Sequence, residues 1–320
     1  MRLTFMGTAA FAVPSLEALV SAGHSVRAVF TQPDRPSGRG RKVHFSPIKE
    51  AALVLGLGVE QPESFKTDSV RELIENLSPE LIVVVAYGRI LPPWLIELPP
   101  NGIVNVHGSL LPKYRGAAPI NRVIANGDPV TGVCTMQIDE GMDTGPVYFC
   151  EETPIAPEET APELASRLAA LGATLLVRTL GAIRQGELRP TPQDDRLASL
   201  APRLRKEEGY IDWHEPAEAI HNKVRAFLPW PSVVVKFRGK TCRILNSQHC
   251  MALEEDGEPE KCEPGTIVFV SNRLRVCCGD GGWLEIGRLQ LENKNAVSGA
   301  DFANGVHLVP GDRFTTIERP

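Results

Sequence analysis

Over roughly its first 186 residues the chain alternates short apolar runs with amphipathic stretches, a pattern that restricts the fold more than any other feature of the sequence. The apolar runs at 3–6, 26–30, 81–86, 103–107 and 133–138 are strand-length. Helical signals fall between them: 11–22 carries Pro14 in its first turn, Ser46 reads as an N-cap with Pro47 at the first helical position, and Thr67 is placed to cap a helix through residue 76. A longer stretch, 162–185, sets Leu164, Leu168, Leu171, Leu175 and Leu176 at helical spacing, as expected of a helix that packs on a sheet and closes a domain. Strands alternating with helices make βαβ units and a mostly parallel sheet.

Residues 187–206 are rich in proline and polar groups without periodicity and read as a linker. Beyond them the texture changes. One helix at 216–227 gives way to short β-type runs at 233–237, 242–245, 265–270, 274–277 and 283–291, split by Gly, Asn and an acidic turn at 254–260. The expected fold is therefore α/β: a Rossmann-like, mostly parallel sheet domain at 1–189, a linker at 190–206, and a small antiparallel OB-like β-barrel domain at 207–320. Trp230, within Phe227-Leu-Pro-Trp-Pro231, and Trp283 are assigned to core packing.

A hydrophobic content of 42% with 23% charged residues suits packed domains rather than disorder, and 320 residues suit two of them. Seven cysteines without a CxxC pair fit reduced thiols in a cytoplasmic protein, and neither a disulfide framework nor a bound metal is expected. The N-terminus lacks the pattern of a signal peptide. The longest uninterrupted apolar run, 81–86, falls far short of the ~20 residues a membrane helix needs. Net charge is −5, with 21 basic and 22 acidic residues up to position 206 and 13 and 17 after it, so a nucleic-acid partner would need a local positive patch. Gly7-Thr-Ala-Ala-Phe11 after the first strand is not GxGxxG; with a single glycine it is a tight strand-to-helix turn, and NAD is not expected.

Chemistry gathers at Asn105-Val-His107-Gly-Ser109-Leu110-Leu111-Pro112 and at Asp143-Thr-Gly145. Strand alternation turns Asn105 and His107 to one side, opposite Val104 and Val106, at the C-terminal end of a strand where open parallel sheets bind ligands. An Asn amide can donate to a developing oxyanion, a His can move a proton near neutral pH, and an Asp can orient that His. Such a set performs acyl transfer without a Ser or Cys nucleophile. A turn-forming Asn, a structural His and a loop Asp would each be unremarkable alone; the three together, amid glycine-rich turns, point to a site.

These motifs resemble those of the folate-dependent formyltransferase family. So do Phe30-Thr-Gln-Pro-Asp-Arg-Pro-Ser-Gly-Arg-Gly40, Val85-Ala-Tyr-Gly-Arg-Ile-Leu-Pro92 and Arg225-Ala-Phe-Leu-Pro-Trp-Pro231, which resemble segments typical of members that act on tRNA. The resemblance implies formyl transfer from 10-formyltetrahydrofolate to the α-amino group of methionyl-initiator tRNA, with Asn105, His107 and Asp143 catalytic. It also implies folate contacts at Ser109, Leu110, Leu111 and Pro112, and a pterin pocket walled by Tyr87, Gly88, Ile90, Leu91, Ile138 and Met142, largely through backbone groups. It favours tRNA contact by Arg35, Arg39, Arg41 and Lys42, with Lys206 near the tRNA end, although a solvated loop and a surface lysine are the commoner meaning of such residues. A monomer is the expected state. A formyltransferase for a small amine would not need the basic loop or the barrel, and a noncatalytic RNA-binding protein would leave the Asn, His and Asp set unexplained.

Overall fold

The computed structural model describes residues 1–37, 42–186, 188–250 and 262–317, so Arg39, Arg41 and the acidic turn at 254–260 lie outside the described residues. The chain divides into two compact units: Met1–Pro119, Val130–Pro154 and Ala165–Pro202 form the first, and Ile120–Pro129, Ile155–Leu164 and Arg203–Pro320 the second.

The first unit contains β1 (Arg2–Gly7), α1 (Val13–Ser21), β2 (Ser25–Phe30), a two-stranded ribbon of β3 (Arg35–Ser37) and β4 (Lys42–His44), α2 (Pro47–Val54), β5 (Val59–Glu60), α3 (Asp68–Leu77), β6 (Leu81–Val85), α4 (Pro93–Glu97), β7 (Ile103–His107), β8 (Val130–Gln137) and β9 (Val147–Pro154). Its sheet has the order β5-β2-β1-β6-β7-β8-β9. Pairing is parallel from β5 to β7 and antiparallel from β7 to β9. Alternation along the strands sorts side chains onto two faces, both covered. Leu3, Phe5, Val83, Val104, Val106 and Val133 meet Leu16 and Leu19 of α1 and Leu175, Leu176 and Leu180 of a long helix, α6 (Ala161–Gln185). Met6, Phe30, Ile82 and Ile103 meet Ile74 of α3 and Leu95 of α4. Full burial of each large aliphatic side chain contributes about 1.5–3 kcal/mol, so these layers fix the strand register.

Local signals behave as their chemistry requires. The Ser46 hydroxyl accepts the Lys49 N–H at 3.1 Å and α2 starts at Pro47, while Thr67 stands at the N-cap of α3 without a side-chain cap bond. Among the described residues α6 is the one helix long and apolar enough to cross a bilayer. Its apolar side nevertheless faces the sheet so closely that a Cβ on Gly172 would lie 2.7 Å from Val106 Cγ1. One expectation is corrected here. Cys134 and Cys150, expected as free thiols, form a disulfide between paired positions of β8 and β9. The edge strand β9 itself went unread, because Glu151 and Glu152 break its apolar pattern; charge on an edge strand guards against pairing with other chains.

α5 (Pro119–Ala125) lies almost wholly within the second unit, which goes on with α7 (Ala217–Ala226), β10 (Val233–Phe237), β11 (Lys240–Cys250), β12 (Ile267–Val270), β13 (Arg273–Cys277), β14 (Trp283–Leu291), β15 (Val297–Ser298), α8 (Gly299–Val306) and β16 (Phe314–Thr315). The antiparallel order is β12-β13-β14-β11-β10-β16, with β15 against β14, and a bridge between Thr266 and Arg313 closes the ends into a barrel. Phe237, Phe302 and Phe314 fill its interior with ring centroids 5.1–6.1 Å apart. Trp283 is buried as expected, but Trp230 is 52% exposed, correcting its assignment to the core. A turn flanked by Pro229 and Pro231 has no periodicity from which its direction could be read.

Candidate active site

β7 presents Asn105 and His107 on the face opposite Val104 and Val106, and all four are buried. On the neighbouring β8 the opposing residues are Met136 and Cys134, so the two polar groups stand at an apolar boundary rather than in bulk water. Asn105 is only 9% exposed, and its side-chain amide makes no hydrogen bond to another described residue.

Asp143 comes from the loop between β8 and β9 at φ +55°, a left-handed conformation that Asp tolerates better than most residues. Its Oδ2 lies 3.6 Å from His107 Nδ1 and accepts the Gly116 N–H at 2.8 Å. The other imidazole nitrogen, Nε2, is 3.0 Å from the carbonyl oxygen of Tyr114. A carbonyl only accepts, so Nε2 carries a hydrogen and donates it. Nδ1 is then the ring nitrogen that faces the Asp143 carboxylate. Two glycines make this geometry feasible: a Cβ on Gly145 would lie 1.9 Å from Gln137 O, and one on Gly116, at φ +126°, 2.7 Å from Ala201 O.

The expected folate segments divide by side-chain direction. The wholly buried Ser109 hydroxyl donates to Lys113 O at 2.7 Å, tying its own turn, with Leu110, Leu111 and Pro112 half-buried beyond it. Tyr87 and Leu91 point into the apolar core, whereas Ile90 and Met142 are 93% and 62% exposed and Ile138 is half-buried. The main chain at 87–88 is held by Gln32, whose Nε2 donates to Tyr87 O at 2.9 Å and to Gly88 O at 3.3 Å; Gly88 itself is exposed. Burial pushes the Tyr87 hydroxyl up to about 12, and that hydroxyl has no partner among the described residues. Because the folded state then holds a proton that the unfolded state gives up above about pH 10, stability falls as pH rises from 10 through 12. Tyr87→Phe is expected to leave neutral-pH stability unchanged or raised by up to about 1 kcal/mol, and to weaken the alkaline loss. Urea melts at pH 7 and pH 10.5 check both.

Of the expected tRNA-contacting residues, Arg35 is exposed in β3, only the backbone of Lys42 in β4 is described, and Lys206 is exposed on a short 3-10 turn of the second unit. Asp34, the one acid near that basic run, is committed elsewhere: it pairs with Lys49 and Gln61, whose hydrogen bonds hold its carboxyl below the usual range.

Arg115 and Gln193 escaped the sequence reading. Arg115, 6% exposed, donates to Gln193 Oε1 from Nε at 3.0 Å and from Nη2 at 2.8 Å, and to Asp195 at 2.8 Å. Gln193 Nε2 donates to Asp143 O at 2.9 Å and Gly145 O at 2.7 Å. Nothing local in the sequence marks contacts that span 78 and 50 positions.

A Rossmann-like sheet carrying this Asn-x-His strand and Asp loop, followed by a small barrel, is the plan of a formyltransferase. The formyl transferase family matches residues 1–180 and the formyl transferase C-terminal domain matches 203–307; the chain belongs to this family. It is 48% identical to the methionyl-tRNA formyltransferase of Acidobacterium capsulatum, over 98% of this chain and 99% of that protein. It is also 49% identical to the methionyl-tRNA formyltransferase of Koribacter versatilis, over 98% of each. In fold it is similar to an N-formyltransferase of Helicobacter canadensis solved with folinic acid and dTDP-3-aminofucose, at a TM-score of 0.65 and 19% identity, covering 91% of this chain and 99% of that one.

Proposed function

We propose that the protein transfers the formyl group of 10-formyltetrahydrofolate to the α-amino group of methionyl-initiator tRNA. The near-full-length likeness to methionyl-tRNA formyltransferases supports the acceptor, and the pairing of His107 Nδ1 with Asp143 Oδ2 at 3.6 Å is the observation that carries the chemistry. The amine attacks the formyl carbon, and the oxygen of the tetrahedral intermediate takes a hydrogen bond from the Asn105 side-chain amide. His107 Nδ1 accepts the proton released by the amine, with Asp143 stabilising the imidazolium, and returns it to N10 as the C–N10 bond breaks. No covalent bond to the enzyme forms. An α-amino group titrates near pH 8 in model peptides, so enough free amine exists at neutral pH for positioning to govern the rate.

In this reading Tyr87, Gly88, Ile90, Leu91, Ile138 and Met142 wall the pterin pocket, largely through main-chain groups, and Ser109, Leu110, Leu111 and Pro112 contact the folate. Main-chain groups held rigid by Gln32 suit a flat heterocycle with a fixed donor and acceptor edge. Arg35, Arg39, Arg41, Lys42 and Lys206 neutralise tRNA phosphates, which makes acceptor affinity fall steeply with salt. The test is incubation with formyl-labelled 10-formyltetrahydrofolate and a choice of methionyl-tRNA, uncharged tRNA or small amines. Label is expected on the charged tRNA alone, with a KM that climbs as salt is raised. Equal labelling of a nucleotide sugar or glycinamide ribonucleotide would overturn the acceptor assignment.

A further inference from the structure

We infer that Gln193, oriented by the buried Arg115, is a positioning residue that sets the Asp143 carboxylate against His107. This inference rests on the reading that His107 and Asp143 act as a pair. Asp143 is held at two points: its carboxylate by the Gly116 N–H at 2.8 Å and its carbonyl by Gln193 Nε2 at 2.9 Å. The same amide nitrogen holds Gly145 O at 2.7 Å, so the loop is clamped on both sides of Thr144. The orientation of the Gln193 amide is not arbitrary. Its Oε1 receives two guanidinium hydrogens from Arg115, and exchanging oxygen for nitrogen would set donor against donor and acceptor against acceptor at every contact.

Three consecutive residues serve the three partners. Tyr114 O receives the His107 Nε2 hydrogen, the Arg115 side chain holds Gln193, and the Gly116 N–H binds Asp143. That segment is braced in turn from downstream: the Arg115 N–H donates to Ser199 O at 2.8 Å, the Ala201 N–H donates to Arg115 O at 2.7 Å, and the Tyr114 N–H donates to Ser199 Oγ at 2.9 Å. Residues 193–201 lie between the two stretches that match the formyl transferase family, 1–180 and 203–307. A stretch with the composition of a linker therefore carries the outer clamp of the site.

Gln193→Glu isolates the clamp: the carboxylate still accepts from Arg115 but can no longer donate to Asp143 O and Gly145 O. Gln193→Met, apolar and of similar length, controls for the added charge. Measured on protein shown to be folded by circular dichroism at the assay temperature, both variants are expected to lose about 10- to 100-fold in kcat, the scale of a displacement near 1 Å, while KM for the folate and for charged tRNA changes by less than about 3-fold. Both are then repeated in an Asp143→Asn background, where a residue acting through Asp143 adds little further loss. An unchanged kcat in the single variants, or losses that multiply in the Asp143→Asn background, would overturn the role of Gln193. Full turnover by Asp143→Asn alone would instead bring down the reading of the site on which the inference rests.

Discussion

Asn105→Ala is expected to lower kcat by about 10²–10³ while leaving KM for the folate within a few-fold, because it removes a donor used only once the oxyanion has formed. The position favours a clean experiment. Asn105 is held by main-chain pairing to Val84 on one side and Met136 on the other, and its side-chain amide makes no hydrogen bond to another described residue whose loss would unsettle the strand. The fold should therefore survive, with an unfolding midpoint close to that of the parent protein. A variant that folds normally and retains more than about a tenth of the parent kcat would mean that the oxyanion is held elsewhere.

Asp143→Asn carries the second large effect. Asn tolerates the left-handed φ of +55° as Asp does, and its side-chain oxygen can still accept the Gly116 N–H, so the substitution removes charge and little else. What it removes is the negative charge that lies 3.6 Å from His107 Nδ1. Formyl transfer is expected to fall by about 10²–10⁴, the range of a lost acid–base function, with charged-tRNA binding unaltered in a filter-binding assay. Normal turnover would remove Asp143 from the mechanism, and a matching loss of tRNA affinity would make its role structural.

Much of this architecture was legible because the first unit obeys period-two and helical patterning almost throughout. The strands β1, β2, β6 and β7 are apolar runs bounded by turns, and α2 announces itself through Ser46 and Pro47. Strand alternation alone put Asn105 and His107 on one face. Most of the illegible parts depend on partners distant in sequence, and one is a matter of length. β9 reads as polar because it is an edge, the Cys134–Cys150 bond depends on β8 and β9 lying in register, and the helix α8 is too short to carry its own periodicity. Gln193 is one polar residue in a proline-rich stretch until Arg115 and the Asp143 loop are brought to it. Trp230 shows the converse failure, for apolar character between two prolines carried no information about direction.

Whether His107 and Asp143 work as one proton-holding unit beside the Asn105 amide is tested most directly by a double-mutant cycle. His107→Gln, Asp143→Asn and the pair together are compared by kcat/KM for formylation of methionyl-tRNA. Groups that act as a unit are strongly non-additive, so the double variant is predicted to lose no more than about 3-fold beyond the worse single variant. Losses that multiply across the cycle would show two independent contributions and contradict the single unit.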